Sequence, residues 1–187
     1  MARRGETTSP PILTIEEYER LPEPDDHKTE LVRGMVVREP LPSPYHGKTQ
    51  AQLAYHLLTF VKQHALGEVF TEIGVVTSRE PDTVRGPDVA FFSFQRLPDP
   101  LPRSFFETMP SLIVEVVSPS NSVPDILRKV AEYLDAGTEM VWVIDPIRRT
   151  AIVYREELEI QLLSEDDFLP GEEVLPGLKL KLRDVLP

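Results

Sequence analysis

Hydrophobic and polar positions change period several times along the chain, and each change marks an element. Residues 29–39, TELVRGMVVRE, alternate apolar and polar about Gly34, which predicts a hairpin or a bulged strand stopped by Pro40, Pro42 and Pro44. From Tyr45 to His64 the period turns helical. Leu53, Leu57, Phe60, Val61 and Ala65 fall on one side of that helix, and Gly67 supplies its predicted stop. Three strand-like runs follow, Val69 to Ser78, Asp88 to Phe94 and Leu112 to Ser118.

Local punctuation sharpens two helices. Thr14-Ile15-Glu16-Glu17 has the form of a capping box opening a short helix that closes by Leu21-Pro22. Ser122 is a natural N-cap, Pro124 suits a first turn, Asp125 completes the box and Gly137 marks the end of a second, well-defined helix. On a helical wheel its apolar stripe is Val123, Leu127, Val130, Ala131 and Leu134, widened by Ile126 and Tyr133, with Lys129 beyond the margin. The apolar run Met140-Val-Trp-Val-Ile-Asp-Pro then reads as a buried strand. Strand, helix and strand in that order predict a right-handed crossover between parallel neighbours. Thr150 to Tyr154, Leu158 to Leu163 and Leu178 to Leu182 are expected to be further short strands, after a disordered tail over residues 1–11. No internal repeat appears, so residues 12–187 are expected to form one domain.

Composition limits the chemistry. The 187 residues, 41% hydrophobic and 27% charged, are enough for one sizeable core. No run approaches the roughly eighteen apolar residues of a membrane span, and no apolar stretch follows the basic start, so a soluble cytoplasmic protein is expected. Cysteine is absent, which removes thiolate nucleophiles and Cys-based zinc sites, and the four histidines lack paired metal spacing. A net charge of -11 argues against a broad basic surface for nucleic acid but leaves room for a local site. The acids of Glu156 to Glu159 and Glu165 to Glu173 read as a solvated edge.

Two acids stand where a strand would ordinarily carry something apolar. Asp88 follows Gly86-Pro87 and opens VAFF; Glu115 lies between Leu112-Ile113-Val114 and Val116-Val117. With a period of two, Glu115 shares a face with Ile113 and Val117, so if that face is inward its carboxylate must be paired, protonated or metal-bound. Two carboxylates from neighbouring strands beside a backbone carbonyl form the hard oxygen set that Mg²⁺ takes when it also holds phosphate and water. The plainer alternatives are a turn aspartate after Gly-Pro and a strand glutamate on the solvent face.

The order helix, strand, strand, strand, helix, strand, with Pro87-Asp88 on the second strand and Glu115-Val116-Val117 on the third, resembles the PD-(D/E)XK nuclease core. ELVRG at 30–34, His46 opening the long helix, RGPDVAFF, LIVEVVSPSN, Lys129 with Tyr133, and Gly137 leading to VWVIDP resemble the Uma-type restriction-endonuclease domain family over about Leu13 to Tyr154. The resemblance implies an α/β (α+β) fold with a restriction-endonuclease-like core, a central mixed sheet flanked by helices, and extra N- and C-terminal strands. It further implies a Mg²⁺-dependent endonuclease acting on DNA, with Mn²⁺ as a substitute, in which Asp88, Glu115 and the Val116 backbone carbonyl bind the metal. The superfamily lysine expected two residues after the glutamate is Val117 here, and the family pattern moves that role to Lys129 on the next helix. Glu30, His46 and Tyr133 are accessory candidates. Glu30 matches the acid of the ELVxG motif but also suits a strand-end surface position. His46 reads as a capping or surface residue, Gln50 one turn on as exposed, and Glu72 as an outward-facing strand residue.

Two function classes compete at this level: the endonuclease, and a nuclease-fold binding or assembly module with weak or no catalysis. A hydrolase of a small phosphorylated substrate has no motif of its own here. Clustering of Arg33, Arg38, Arg85, Arg96, Arg103 and Lys129 around the acid pair would favour the enzyme by supplying phosphate contacts. A homodimer is expected from the need to cut two strands.

Overall fold

The computed structural model describes residues 12–22, 28–39, 41–156 and 159–187. The sequence-predicted tail, residues 1–11, lies outside them, as does Leu158 at the start of one predicted strand. A six-stranded mixed sheet forms the centre. Its strands are β3 (Gly67–Thr71), β6 (Val89–Ser93), β8 (Leu112–Val116), β9 (Met140–Asp145), β10 (Thr150–Arg155) and β11 (Ile160–Ser164), ordered β11-β10-β9-β8-β6-β3. Within it only β8 and β9 run parallel, from Leu112↔Met140 to Val116↔Ile144, because the chain between them passes through helix α3 (Val123–Asp135); the other neighbours are antiparallel.

Each face of this sheet is covered differently. Helix α2 (Pro44–His64) starts at the Ser43 N-cap and lays Leu53, Leu57 and Val61 against Val89, Phe91, Val114 and Trp142. Leu169, Leu175, Leu182 and Val185 from the C-terminal segment close the same core. On the opposite face, Val130 and Tyr133 of α3 pack with Ala90, Phe92, Ile113, Val141 and Val143. The left-handed residue that ends α2 is Ala65, at φ 52°, and not the predicted Gly67. Gly67 serves another purpose: it opens β3 so close to β6 that a Cβ would lie 1.9 Å from the Phe92 carbonyl oxygen.

The apolar stripe read for α3 is displaced. Val123, Leu127 and Ala131 are exposed, and the face that packs on the sheet is Ile126, Lys129, Val130 and Tyr133, at spacings of three and four. Lys129 therefore lies on the inner face, where the wheel had excluded it. The two faces are separable by experiment: Val130→Ala should cost about 2 kcal/mol, and Val123→Ala less than about 0.5 kcal/mol, in urea unfolding. Equal costs would restore the sequence-derived stripe.

A second sheet carries the N-terminal part of the chain, with order β2-β1-β5-β4-β7, where β1 is Lys28–Val32, β2 Met35–Glu39, β4 Gly74–Arg79, β5 Asp82–Arg85 and β7 Phe105–Phe106. The predicted hairpin over 29–39 is β1–β2, and its two-residue turn, Arg33 at φ 53° and Gly34 at φ 76°, has the pair of positive angles that a tight antiparallel hairpin needs. Helix α1 (Ile15–Glu19) has the predicted capping box in full: Thr14 Oγ1 accepts from the Glu17 amide, and the Glu17 carboxylate accepts from the Thr14 amide. The run Val69 to Ser78 is not one strand. The chain turns at Glu72, φ 58°, and β3 and β4 belong to different sheets. Leu178 to Leu182 yields only β13 (Leu180–Lys181), paired with β12 (Phe168–Leu169), before a 3-10 turn over Leu182–Val185.

Candidate active site

The last register pair between β6 and β8 is Val89↔Val114, and one step further Asp88 falls opposite Glu115. Cross-strand neighbours at such a position project to the same face about 5 Å apart. Both acids are buried, at 7% and 9% exposure. Asp88 Oδ2 accepts the Val116 amide at 2.7 Å, and Glu115 Oε1 accepts the Tyr133 hydroxyl at 2.7 Å. Both carboxylates border one cavity of about 230 Å³ that also meets Val116, His46 and Lys129. Burial pushes the Glu115 carboxyl up to about 7, opposed by the Lys129 ammonium and reinforced by Asp88 and Glu30. The Tyr133 hydroxyl is likewise raised by burial and then by Glu115.

Lys129 reaches this cavity from α3. Its Nζ lies 2.9 Å from Glu30 Oε1, 3.7 Å from Glu39 Oε1 and 3.8 Å from Glu115 Oε2. Although burial works against its charge, Glu115, Glu30 and Glu39 together hold its pKa above the ordinary lysine value. Glu30 is not at the surface: it is 2% exposed and also takes the Arg85 guanidinium at 2.7 Å and the Gly86 amide at 2.9 Å. Burial alone would raise Glu30, but Lys129 and Arg85 hold it below the usual carboxylate range. Glu39 is shifted upward, by burial first and partly offset by Lys129.

His46, an accessory candidate for which a capping or surface position is the plainer sequence reading, is not at the surface. It is buried, on the same helical face as Thr49, Leu53, Leu57 and Val61, and Nε2 lies 3.1 Å from Asp88 Oδ2. An ionised carboxylate can only accept, so Nε2–H donates in this contact, while the buried Nδ1 has no hydrogen-bond partner among the described residues. Continuing the apolar stripe of α2 toward its N-terminus would have found it. Gln50, read as exposed, is partly buried and donates to the Asp88 carbonyl at 2.9 Å and to Glu72 at 2.5 Å. Glu72 is exposed in the β3–β4 turn and also pairs with Lys28. It does not sit in a strand as expected.

The basic residues gather only in part. Arg38 and Arg128 border a second cavity, of about 220 Å³, together with Glu115 and Lys129. Arg103 lines an adjoining cavity, and Arg85 borders both cavities while its guanidinium is held by Glu30 and Glu132. Arg33 occupies the β1–β2 turn, and Arg96 binds Glu139 and the Gly137 carbonyl beyond the C-terminal end of α3. Sequence reading missed Glu39 and Glu132 altogether. Arg85 entered only as a candidate rim residue.

Among the described residues, no group of three or more His, Asp or Glu side chains is placed to hold a metal ion. The donor set to weigh is therefore the Asp88–Glu115 pair. It fits a hard divalent cation: both groups are oxygen donors, both are buried, and both border one cavity together with Val116.

The mixed α/β fold that carries this buried acid pair and lysine is shared with a family of nuclease-like proteins. The chain belongs to the Uma2 family, described as "Putative restriction endonuclease", whose model matches residues 15–183. A crystal structure of a putative nuclease belonging to DUF820 from Anabaena variabilis ATCC 29413 superposes with a TM-score of 0.82 at 25% identity, over 92% of this chain and 97% of that one. No curated protein matched. Among the described residues no helix is long and apolar enough to cross a membrane.

Proposed function

We propose that this protein is a divalent-metal-dependent nuclease that hydrolyses phosphodiester bonds in DNA, with Mg²⁺ the physiological ion and Mn²⁺ a substitute. The observation that carries this reading is the register-matched pair Asp88 and Glu115 with the Lys129 ammonium 3.8 Å from Glu115. Asp88, Glu115 and the Val116 carbonyl would hold the ion. When bound, it supplies Lewis-acid polarisation of the phosphoryl oxygens and lowers the pKa of a coordinated water.

The chain's own groups do the rest. Tyr133 donates to Glu115 Oε1 and fixes that carboxylate's rotation, leaving Oε2 turned toward the lysine side. His46 and the Val116 amide hold Asp88 in the same way. Lys129 places a permanent positive charge beside the acid pair, suited to the negative charge that builds on a phosphate during displacement. Arg38 and Arg128, on the cavity shared with Glu115, are placed to meet flanking phosphates and so offset locally a chain whose net charge is -11.

The direct test is Mg²⁺ titration calorimetry on the wild-type protein, followed by incubation with supercoiled plasmid with and without EDTA. Saturable binding and EDTA-sensitive nicking are expected. A folded protein that binds neither Mg²⁺ nor Mn²⁺ would leave a nuclease fold used for binding alone.

A further inference from the structure

Lysine has a long flexible stem, so an ammonium that must sit beside one carboxylate needs something to hold it there. Lys129 is held by Glu30, at 2.9 Å, more closely than by Glu115, at 3.8 Å. Glu30 is in turn fixed by Arg85, whose Nη1 donates to Glu30 Oε2 at 2.7 Å while its Nε donates to Glu132 Oε2 at 2.6 Å. Glu132 lies three residues after Lys129 on α3, one turn along the same side. One buried guanidinium, 4% exposed, thus grips both the carboxylate that receives the lysine and the helical turn next to the lysine.

We infer that Arg85 is the positioning residue for Lys129: it ties the β1 carboxylate to α3 so that the ammonium stands beside Glu115. Its consequence for cleavage rests on the nuclease reading above; the placement of Lys129 does not. The polar contacts of the Arg85 side chain among the described residues go to Glu30 and Glu132, not to Asp88 or Glu115, so it acts through the first two. The fork of the guanidinium is what the role requires, since its donors leave in two directions. Arg85→Lys would keep the charge and lose one of the two arms.

The test uses Arg85→Lys and the milder Glu132→Gln, whose side chain is 25% exposed in the native protein and leaves the Arg85–Glu30 bond in place. The first readout needs no activity: limited acetylation followed by mass spectrometry, with Lys129 measured against Lys48 and Lys179 in the same sample. Lys129 is shielded in the wild type, its side chain being 12% exposed. In both variants its relative labelling should rise, by at least about 5-fold for Arg85→Lys, because the ammonium is no longer held. The second readout is nicking. Arg85→Lys should keep Mg²⁺ binding, lower kcat by at least about 10-fold with KM within about 3-fold, and add nothing to the loss caused by Lys129→Ala.

Unchanged labelling in both folded variants would overturn the inference. So would losses from Arg85→Lys and Lys129→Ala that multiply, since Arg85 would then act independently of the lysine. Increased labelling in a protein whose wild type never nicks DNA would keep the positioning role and remove the nuclease reading instead.

Discussion

Asp88→Asn and Glu115→Gln are each expected to reduce metal-supported nicking by at least about 100-fold and to abolish calorimetric Mg²⁺ binding, while leaving the fold intact. Both substitutions are nearly isosteric. The carbonyl oxygen of the new amide can still accept the Val116 amide in Asp88→Asn and the Tyr133 hydroxyl in Glu115→Gln, so the contacts at 2.7 Å survive and only the charge is lost. The Glu115 change carries a second signature. Without a bound metal, burial disfavours the charged form of the native carboxyl and pushes it up to about 7 from its ordinary value of 4.5. An acid whose folded pKa is raised contributes stability that is fully present below about pH 4.5 and is lost as pH rises through 7, a change of about 3 kcal/mol. Glu39 shifts in the same direction, whereas Glu30, shifted down, loses its contribution only at lower pH. Metal-free wild-type protein should therefore melt at a higher temperature at pH 5.5 than at pH 7.5. Glu115→Gln should flatten that slope and be the more stable protein at pH 7.5. A slope that Glu115→Gln leaves untouched would place the titration elsewhere.

The second large effect is on stability. Glu30→Ala removes the centre of a buried ion cluster, taking from Lys129 its nearest carboxylate and from Arg85 one of its two, so that Lys129 keeps only Glu39 and Glu115 at 3.7 and 3.8 Å and Arg85 only Glu132 in a poorly hydrated place. Breaking such a cluster by removing one partner costs about 3–5 kcal/mol, which for a chain of this size lowers the melting temperature by roughly 6–20 °C. A strand-end surface glutamate would cost almost nothing, so thermal unfolding separates the two descriptions of Glu30 cleanly. Added salt should rescue little of the loss, because the charges are shielded from solvent.

Some of this site was legible before any coordinates. Asp88 and Glu115 stand out because a lone acid in an apolar run is costly unless something receives it, and the caps at Thr14 and Ser122 are local chemistry that tertiary structure did not override. What failed were inferences that depended on which side of an element meets the rest of the protein. The α3 wheel followed hydrophobicity and put Val123, Leu127 and Ala131 on one stripe with Val130 and Leu134, yet the helix turns inward the side that carries Val130, Tyr133 and Lys129, where acids from β1, β2 and β8 receive the charge. Those partners are distant in the chain and leave no mark on local periodicity. Arg85 is hidden for the same reason: its burial depends on Glu30 and Glu132, which lie far from it on either side in the chain. The turn at Glu72 was missed because the apolar alternation runs on through it while the backbone reverses at a non-glycine residue with positive φ.

The bond from the Val116 amide to Asp88 Oδ2 means that the β6–β8 ladder is closed by a side chain and not by a backbone carbonyl. Every other rung answers only to opening of the strands. This last one also answers to whatever pulls on the carboxylate, whether a cation, a proton or a substitution at position 88. The Val116 amide is thus a built-in gauge: its hydrogen exchange should quicken when Oδ2 is drawn away, while amides deeper in β8 keep their protection, so occupancy of the acid pair becomes visible in a protein that is given nothing to cut.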